Sequence, residues 1–384
     1  MYTGKLKHQP LIIGMLNLLF SVVVPGFANE NVLQMLEKDF QRIVTDARPT
    51  VVKVVATQGV PVPLSWNTKE LALMRQNIGS GIVIDTAGHI VTTTFEMGPP
   101  SKIEVIFNDK RVASAKLIGT DVFTDIAVLR VTGPLRKSTP PTNAVRSPAA
   151  PDERIEFTPP RKWGDSSKID TGSWVVTIGS SYGKSPIVSV GIVGGWDTLP
   201  NQLCGELIKI NAAVTPGNSG GAVVNTSGEV VGMILAVLTE PTATHSSLDT
   251  FFEKRDDIDI TQLLARSPLA ARSQEITFAM PIETVRAVAK EIIEHGKVAR
   301  GWLGVEVDVG DLGVLVTGVI ENSPAHKGGL LPQDLILEFN AVPVHSYDEL
   351  LKCVVSKRPN TKIRLKIGRN GIEHYSTVIL GETP

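Results

Sequence analysis

The stretch Thr215-Pro216-Gly217-Asn218-Ser219-Gly220-Gly221 decides the fold of this chain. It follows a run of strand-forming residues, Leu207 to Val214, and places one serine among glycines. Glycine permits sharp turns and close approach of the backbone. A serine on such a turn exposes its hydroxyl, and the backbone N–H groups around it converge on one point, as an oxyanion hole requires. The alternative is a turn with only a structural role.

Short strands surround this turn on both sides. The chain has 34 glycines and 25 prolines, and many brief Val/Ile/Thr runs bounded by turn residues, which favours a β protein. Strands packed this densely along the chain are typical of a sandwich or barrel. The predicted strands are Val51 to Ala56, Gly81 to Ile84, Ile90 to Thr94, Ile103 to Phe107, Ala115 to Ile118, Asp125 to Val131, Trp174 to Ile178, Ile187 to Val193, Leu207 to Val214, Gly221 to Val224 and Val230 to Val237.

Two helices and two insertions interrupt the strands. Apolar residues recur at helical spacing over Asn31 to Thr45 and over Pro281 to His295, which predicts amphipathic helices. The proline-rich stretch 132–161 and the polar stretch 239–273 have little apolar periodicity. We expect a mobile loop or linker for the first and a functional or disordered loop for the second.

A second domain of mixed α and β structure is predicted from about Arg300 onward. Ser346 followed by Glu349 is a capping box that opens a helix running to about Val355. Strands are predicted on both sides of this helix, at Gly304 to Val309, Gly313 to Ile320, Leu335 to Phe339, Lys362 to Ile367 and His374 to Leu380.

The first 28 residues have the pattern of a secretory signal peptide. Lys5 and Lys7 precede an apolar stretch from Leu11 to Val24, and Gly26-Phe27-Ala28 offers a cleavage site after Ala28. The alternative is a retained membrane anchor, for which about fourteen apolar residues are short. After cleavage we expect no membrane span.

Composition narrows the function classes. The chain has 384 residues, 20% of them charged, and a formal net charge of −1. Nucleic-acid binding is not expected, because it usually leaves a basic face. Each of the two cysteines, Cys204 and Cys353, is predicted to be a buried thiol; a disulfide between them is possible but not indicated. We expect no cofactor and no metal ion.

Several motifs recur along the chain in a fixed order and spacing. They are Gly79-Ser80-Gly81-Ile82-Val83-Ile84, Gly88-His89-Ile90-Val91-Thr92, Leu117-Ile118-Gly119-Thr120-Asp121, Thr124-Asp125-Ile126-Ala127-Val128-Leu129, Trp163-Gly164-Asp165-Ser166, Ser189-Val190-Gly191-Ile192-Val193, the Ser219 stretch and Phe278-Ala279-Met280-Pro281. Together they resemble the HtrA (Do-like) family of serine proteases. The resemblance implies a trypsin-like double β-barrel over residues 29–298, with insertions at 132–161 and 239–273, followed by an α+β PDZ domain over 299–384.

The same resemblance implies the roles of the site residues. Ser219 matches the nucleophile of the catalytic triad, and Asp125 matches the aspartate that orients the histidine. Gly217 and Ser219 match the N–H donors of the oxyanion hole. The family places its histidine in a stretch written roughly Thr-x-x-His, and this chain has Phe95 at that position. The spacing from Gly88 is preserved, so no gap needs to be assumed.

Loss of the histidine predicts a catalytically inactive homologue, because phenylalanine cannot accept a proton. A substitute base is the alternative. His245 lies in the long insertion after the Ser219 strand, and Glu96 is adjacent to Phe95 but is expected to point away from the site. With such a base the chain would be a serine endopeptidase with a displaced general base or weak residual activity.

The second domain is similar to a PDZ module. Leu303-Gly304-Val305 matches the loop whose N–H groups bind a peptide's terminal carboxylate, beside the helix that carries Leu350, Leu351 and Val354. Alternatively, these side chains only fill the core. The chain has Gln333-Asp334 where Gly-Asp is usual and Asn340-Ala341 where Asn-Gly is usual.

The resemblance implies a protein of the periplasm or an equivalent space. Its expected partners are unfolded proteins or C-terminal peptides, in envelope quality control or regulation, and a homotrimer held by the N-terminal segment is expected. The insertion at 239–273 falls where the specificity loops of the family lie. The S1 preference, that is, the substrate side chain accepted before the cleaved bond, therefore does not follow from the sequence.

Overall fold

The computed structural model describes residues 31–62, 71–94, 100, 102–137, 156–180, 186–198, 205–215, 217–239, 275–310 and 313–383. The predicted signal peptide, Phe95, Glu96, Cys204 and His245 lie outside these residues. The chain divides into two units, residues 1–42 and 43–384. A first helix, α1, spans Val32–Ala47. No helix within the described ranges is long and apolar enough to cross a bilayer.

The first barrel consists of six antiparallel strands. The order β4-β1-β2-β3-β6-β5 closes because β5 also pairs with β4, and a short seventh strand pairs with β5. Its core is aliphatic, with Val54, Ile90 and Leu129 almost fully buried. The strands are β1 Val51–Val62, β2 Leu71–Val83, β3 His89–Thr93, β4 Lys102–Ile106, β5 Arg111–Asp121, β6 Ile126–Val131 and β7 Arg136–Lys137.

The second barrel is also six-stranded and closed, in the order β10-β13-β12-β11-β8-β9. Val175, Ile208 and Ile234 lie in its core. Helix α2, Ile282–His295, follows the last strand and ends at Gly296, which has a φ of 79°. The strands are β8 Trp174–Gly179, β9 Ile187–Asp197, β10 Leu207–Asn211, β11 Ala222–Asn225, β12 Val230–Thr239 and β13 Glu275–Pro281. The predicted trypsin-like double barrel is thus confirmed.

The C-terminal domain, predicted above as the second domain from about Arg300 onward, has the predicted mix of strands and helices. One sheet has the order β15-β16-β17-β19-β20, with β18 paired to β17, and β14 pairs separately with β21. The elements are β14 Gly301–Trp302, β15 Val305–Gly310, β16 Gly313–Val319, α3 Pro324–Lys327, β17 Leu335–Phe339, β18 Val342–Pro343, α4 Tyr347–Val355, β19 Lys362–Arg369, β20 Ile372–Ile379 and β21 Gly381–Glu382.

The capping box at the start of α4 is confirmed. The Ser346 hydroxyl accepts a hydrogen bond from the Glu349 backbone N–H at 3.2 Å. The Glu349 carboxylate in turn accepts one from the His345 N–H at 2.7 Å. The Glu349 N–H, which has no partner inside the helix, is satisfied in this way, whereas the returning bond comes from the residue before the N-cap Ser346 and not from the N-cap itself.

Gln333 and Ala341 occupy left-handed backbone conformations, with φ of 76° and 64°. These are the two positions where the PDZ family usually has glycine. Glycine enters this region without penalty, whereas other residues are strained there. The turns therefore keep their geometry despite the substitutions, and Gln333 and Ala341 bear the strain.

The prediction of a mobile loop or linker over 132–161 is wrong at both of its ends. Arg136–Lys137 forms β7. The ring of Phe157 lies 6.0 Å from that of Phe107 and packs against the first core. Proline content obscured these contacts, because one partly buried aromatic residue is enough to anchor a segment that has no periodic pattern. Residues 138–155 lie outside the described residues.

We expect Arg369→Ala to destabilise the PDZ domain by about 3 kcal/mol, the low end of the range for breaking a buried ion pair, because Arg369 keeps 30% of its side chain exposed. The Asp334 carboxylate is fully buried and accepts two hydrogen bonds from this guanidinium, each of 2.7 Å. Burial raises the pKa of Asp334, but the hydrogen bonds from Arg369 and from the Leu331 N–H lower it by more. The pKa therefore lies below its usual value, and the carboxylate stays ionised.

Urea unfolding followed by circular dichroism measures this change. Lys290→Ala is the matched control, since the Lys290–Glu294 pair is mostly exposed and should contribute under about 0.5 kcal/mol. Equal stability of the two variants would show that the Asp334 pair is not needed for the fold.

Candidate functional site

Ser219 lies on a tight turn between β10 and β11 that is tied to the second barrel. The Asn218 N–H donates to the Thr215 carbonyl at 3.0 Å, and the Gly221 N–H donates to the Asn218 carbonyl at 2.8 Å. The Gly220 N–H donates to the carbonyl of Ile234 on β12 at 2.7 Å. Ser219 itself is only partly buried. The backbone around Ser219 thus forms a closed turn, and the exposure of its hydroxyl stays a prediction.

Ser80 of the first barrel holds this turn from the other side. Its hydroxyl donates to the Gly217 carbonyl at 2.7 Å and accepts from the Ser180 N–H at 2.7 Å. Its backbone N–H donates to the Ser219 carbonyl at 2.8 Å. Two carbonyls of the turn are thus directed toward Ser80. Among the hydrogen bonds between described residues, none uses the N–H of Gly217 or Ser219.

The predicted oxyanion donors are therefore unobstructed by the described part of the chain, and their role stays a prediction. Ser80 was not predicted as a site residue. Its only sequence signal was its position between two glycines in Gly79-Ser80-Gly81. The contact between Ser80 and the Ser219 turn spans well over a hundred residues, so spacing along the chain could not reveal it.

Asp125 adopts a left-handed conformation, with a φ of 55°, immediately before β6. One oxygen of its carboxylate accepts hydrogen bonds from the Thr94 N–H, at 3.0 Å, and from the Thr94 hydroxyl. The Thr94 N–H also approaches the Asp125 carbonyl at 3.2 Å. The acid is thereby held beside the residue that directly precedes position 95.

The end of β3 connects the serine turn to the acid. The Thr92 hydroxyl donates to the Ser80 carbonyl at 2.7 Å, and Ser80 contacts the Ser219 turn as described above. Thr93 pairs with Ile126, the first residue of β6. Phe95 follows Thr94 directly in the sequence but lies outside the described residues. The contacts of residues 92–94 nevertheless fix the register of the strand that leads into it.

His89, at the opposite end of β3, has a different partner. Its Nδ1 lies 2.6 Å from an oxygen of the Asp85 carboxylate. Burial raises the pKa of Asp85, but hydrogen bonds from the His89 ring and from nearby backbone N–H groups outweigh this and hold it below its usual range. At about 3.3 Å per residue, His89 is about 13 Å from the Thr93 end of the strand. His89 is therefore not a replacement base.

The loop Leu303-Gly304-Val305 directs its carbonyl groups into the PDZ domain. The Leu303 carbonyl accepts from the Ala325 N–H at 2.9 Å. The Gly304 carbonyl accepts from the Ile320 N–H at 3.1 Å and from the Ser323 hydroxyl at 3.2 Å. No hydrogen bond between described residues uses the N–H groups of Leu303 or Gly304. The loop can thus offer these donors to a carboxylate, as predicted for a PDZ module.

Gly304 is required by this geometry. Its φ is 80°, and a Cβ at this position would lie 2.3 Å from the Cβ of Ser323. Only a residue without a side chain fits so close an approach. The glycine therefore allows the loop to pack closely against Ser323.

A cavity of about 180 Å³, which we call the PDZ groove, lies beside this loop. Leu350, Leu351 and Val354 of α4 line it, as the resemblance implies. Leu350 and Val354 are also buried in the domain core, so for these two the alternative of a core role holds as well. The sequence did not identify Phe123 of the first barrel or Tyr347 of α4 as lining residues.

Two other predictions concern cysteine and metal chemistry. Cys353 is a free thiol, and burial raises its pKa above the usual range. Across the described ranges, no group of three or more His, Cys, Asp or Glu side chains is placed to hold a metal ion.

Two known families match the chain. Residues 79–233 match the family described as a trypsin-like peptidase domain, and residues 301–380 match the PDZ domain family. The first match includes both Asp125 and Ser219.

Similar proteins include curated bacterial relatives and solved structures. A relative from Pseudomonas putida (strain F1), named "Probable periplasmic serine endoprotease DegP-like", is 32% identical over 322 residues, which is 80% of this chain and 57% of the relative. A relative of the same name from Marinomonas sp. is 30% identical over 323 residues, 81% of this chain and 58% of the relative. The chain thus spans a little over half the length of these relatives.

A solved structure titled "HtrA-type protease AlgW with decapeptide" is 26% identical. It superposes with a TM-score of 0.63 and covers 90% of this chain and 99% of its own.

Proposed function

We propose that this chain, which belongs to the HtrA family of trypsin-like proteins and carries one PDZ domain, is a non-catalytic member that binds unfolded or C-terminal peptide segments. The observation that carries the proposal is Phe95, which stands where the family places its histidine. The contacts of Thr92 and Thr94 support this register, because they lie between the Ser219 turn and Asp125.

Without a base, the Ser219 hydroxyl is a weak nucleophile at neutral pH. Loss of the histidine from such a triad lowers kcat by on the order of 10⁶-fold. The oxyanion hole and substrate binding alone retain only about 10³–10⁴-fold acceleration over water. Asp125 has no imidazolium to stabilise at position 95. The retained groups therefore form a cleft suited to binding an extended chain more than to cleaving it.

The PDZ groove supplies the second binding element of the proposal. The N–H groups of Leu303 and Gly304 can receive a terminal carboxylate, and the apolar cavity beside them can receive the last side chain. In this mode the peptide adds a strand at the edge of the domain's sheet. The partners we propose are accordingly unfolded proteins and C-terminal peptides.

We place this function in the periplasm, in envelope protein quality control or regulation. Support comes from the pattern of a signal peptide over residues 1–28 and from the names of the relatives, which describe them as probable periplasmic proteins. The homotrimer implied by the family resemblance is part of the same proposal.

The second candidate function is a working serine endopeptidase. It is favoured by the ordered Ser219 turn and by the hydrogen bonds that hold Asp125, since both triad members keep a defined environment. The relatives' names are those of endoproteases. This reading needs a base from another part of the chain, and His245, which lies outside the described residues, is the candidate named above.

Comparing the mature chain with its Ser219→Ala variant separates the two candidates. We expect both to release peptides from an unfolded protein substrate at the same rate as buffer, because the hydroxyl has no base. Mass spectrometry of the products over a long incubation gives the rates. Turnover that disappears in Ser219→Ala would refute the non-catalytic proposal.

Peptide binding is measured separately on the full chain. A labelled peptide with a free C-terminal carboxylate should bind, and the same peptide with an amidated C-terminus should bind at least about tenfold more weakly, because the amide carries no negative charge. Equal binding of the two peptides would refute the role of the Leu303–Gly304 donors.

A further inference from the structure

Phe123 brings the first barrel into contact with the PDZ groove. It lies on the turn between β5 and β6, far from the PDZ domain in sequence. Its side chain nevertheless lines the 180 Å³ cavity together with Leu303, Gly304 and Leu351. Residues of two domains therefore line the groove, and one of them, Phe123, is an aromatic residue that no PDZ motif supplies.

An ion pair holds this turn against the PDZ domain. Arg300, the residue before β14, places its guanidinium 2.5 Å from the Asp121 carboxylate, and the Asp121 side chain is only 3% exposed. The same carboxylate oxygen accepts from the Thr124 hydroxyl at 2.7 Å. Arg300 also approaches the carbonyl of Val355, the last residue of α4, at 3.4 Å. Phe123 lies between Asp121 and Thr124, so its backbone is fixed relative to the groove.

The size and lining of the cavity define what can occupy it. Sites for drug-sized ligands have volumes of about 300–1,000 Å³, so 180 Å³ suits one side chain better than a longer segment. Apart from Thr383, the side chains around it are aliphatic or aromatic, and Leu303 and Gly304, whose N–H groups are proposed to bind a carboxylate, also line it. The group that fits both features is the C-terminal residue of a peptide with a large apolar side chain.

We propose that Phe123 is a specificity-determining residue of the PDZ groove, forming the wall against which the C-terminal side chain of a bound peptide packs. The proposal rests on the peptide-binding function proposed above and adds a selection rule to it. Peptides ending in leucine should be preferred over peptides ending in alanine, and Phe123 should account for much of this preference.

The test uses the full chain and two labelled peptides that differ only in ending with leucine or alanine. Binding is followed by fluorescence anisotropy for the wild type, Phe123→Ala, Phe123→Leu and Val122→Ala. Val122 is the matched control because it is on the same turn but 72% exposed. We expect Phe123→Ala to weaken binding of the leucine peptide about fivefold to tenfold, because one face of the apolar contact is lost.

Three further results are expected. Binding of the alanine peptide should change less than twofold, Phe123→Leu should recover most of the affinity, and Val122→Ala should match the wild type. A role of Phe123 in stability alone would weaken both peptides equally and would overturn the proposal. Tighter binding of the leucine peptide by Phe123→Ala would also overturn it, since Phe123 would then block the groove.

The failure of the underlying function is distinguishable from these outcomes. If the wild type binds neither peptide, or binds free and amidated C-termini equally, the peptide-binding function itself is refuted together with the selection rule. If the wild type prefers the free carboxylate but all four proteins discriminate leucine from alanine equally, only the role of Phe123 is refuted.

Discussion

Replacing Phe95 with histidine is expected to raise Ser219-dependent cleavage of an unfolded protein by at least about 10³-fold. The reason is that the change supplies the proton acceptor that, in the proposed non-catalytic function, the site lacks. Asp125 is already held beside Thr94 by a 3.0 Å hydrogen bond, where it can orient an imidazole on the next residue. Complete loss of the base costs on the order of 10⁶ in kcat, so even imperfect placement of the new ring should give a large gain.

Two controls define this experiment. Phe95→Gln has a side chain close to the size of histidine but cannot act as a base near neutral pH, so it should remain inactive. The double variant Phe95→His with Ser219→Ala should lose all of the gain. Peptide release is measured with the same unfolded substrate for every variant. No gain in Phe95→His would contradict the idea that only the proton acceptor is missing and would indicate a cleft altered elsewhere.

Substituting Gly220 by alanine is expected to destabilise the protein by about 4 kcal/mol and to disrupt the Ser219 turn. The φ of Gly220 is 82°, and an added Cβ would lie 2.1 Å from the Ser80 carbonyl oxygen and 2.9 Å from the Thr92 hydroxyl. Left-handed strain accounts for about 1–2 kcal/mol of this loss. The remainder comes from displacing backbone that links the two barrels, an effect at the large end for single substitutions.

Gly228 provides the matched control for Gly220. Its φ is 77°, but no heavy atom would lie within 4 Å of an added Cβ. Gly228→Ala should therefore show only the backbone strain. Denaturant unfolding of both variants isolates the contribution of the close approach between the barrels. If the two variants are equally stable, the contact between the Ser219 turn and Ser80 is looser than these distances indicate.

The sequence predicted the fold well where the pattern is local. The short strands, the α4 capping box and the turn around Ser219 depend on residues within a few positions of one another. It missed β7 and the anchoring role of Phe157, because proline content alone does not reveal one partly buried aromatic residue. It also missed Ser80, whose role depends on contacts with the distant Ser219 turn, and Phe123, which lines a cavity of another domain.

The amino-acid sequence by itself determined which functional groups occupy the predicted site positions: a serine among glycines, an aspartate, and a phenylalanine where the family resemblance implies a histidine. Those conclusions follow from the functional groups of single residues at known spacing. Only the tertiary structure decided which distant groups meet, namely Ser80 with the Ser219 turn, Thr94 with Asp125, and Phe123 with the PDZ groove. The physical reason is that barrel closure and domain docking bring together segments whose separation along the chain has no periodic signature. The described contacts place Thr94, the residue before Phe95, beside Asp125, and the missing proton acceptor stays a prediction from the sequence.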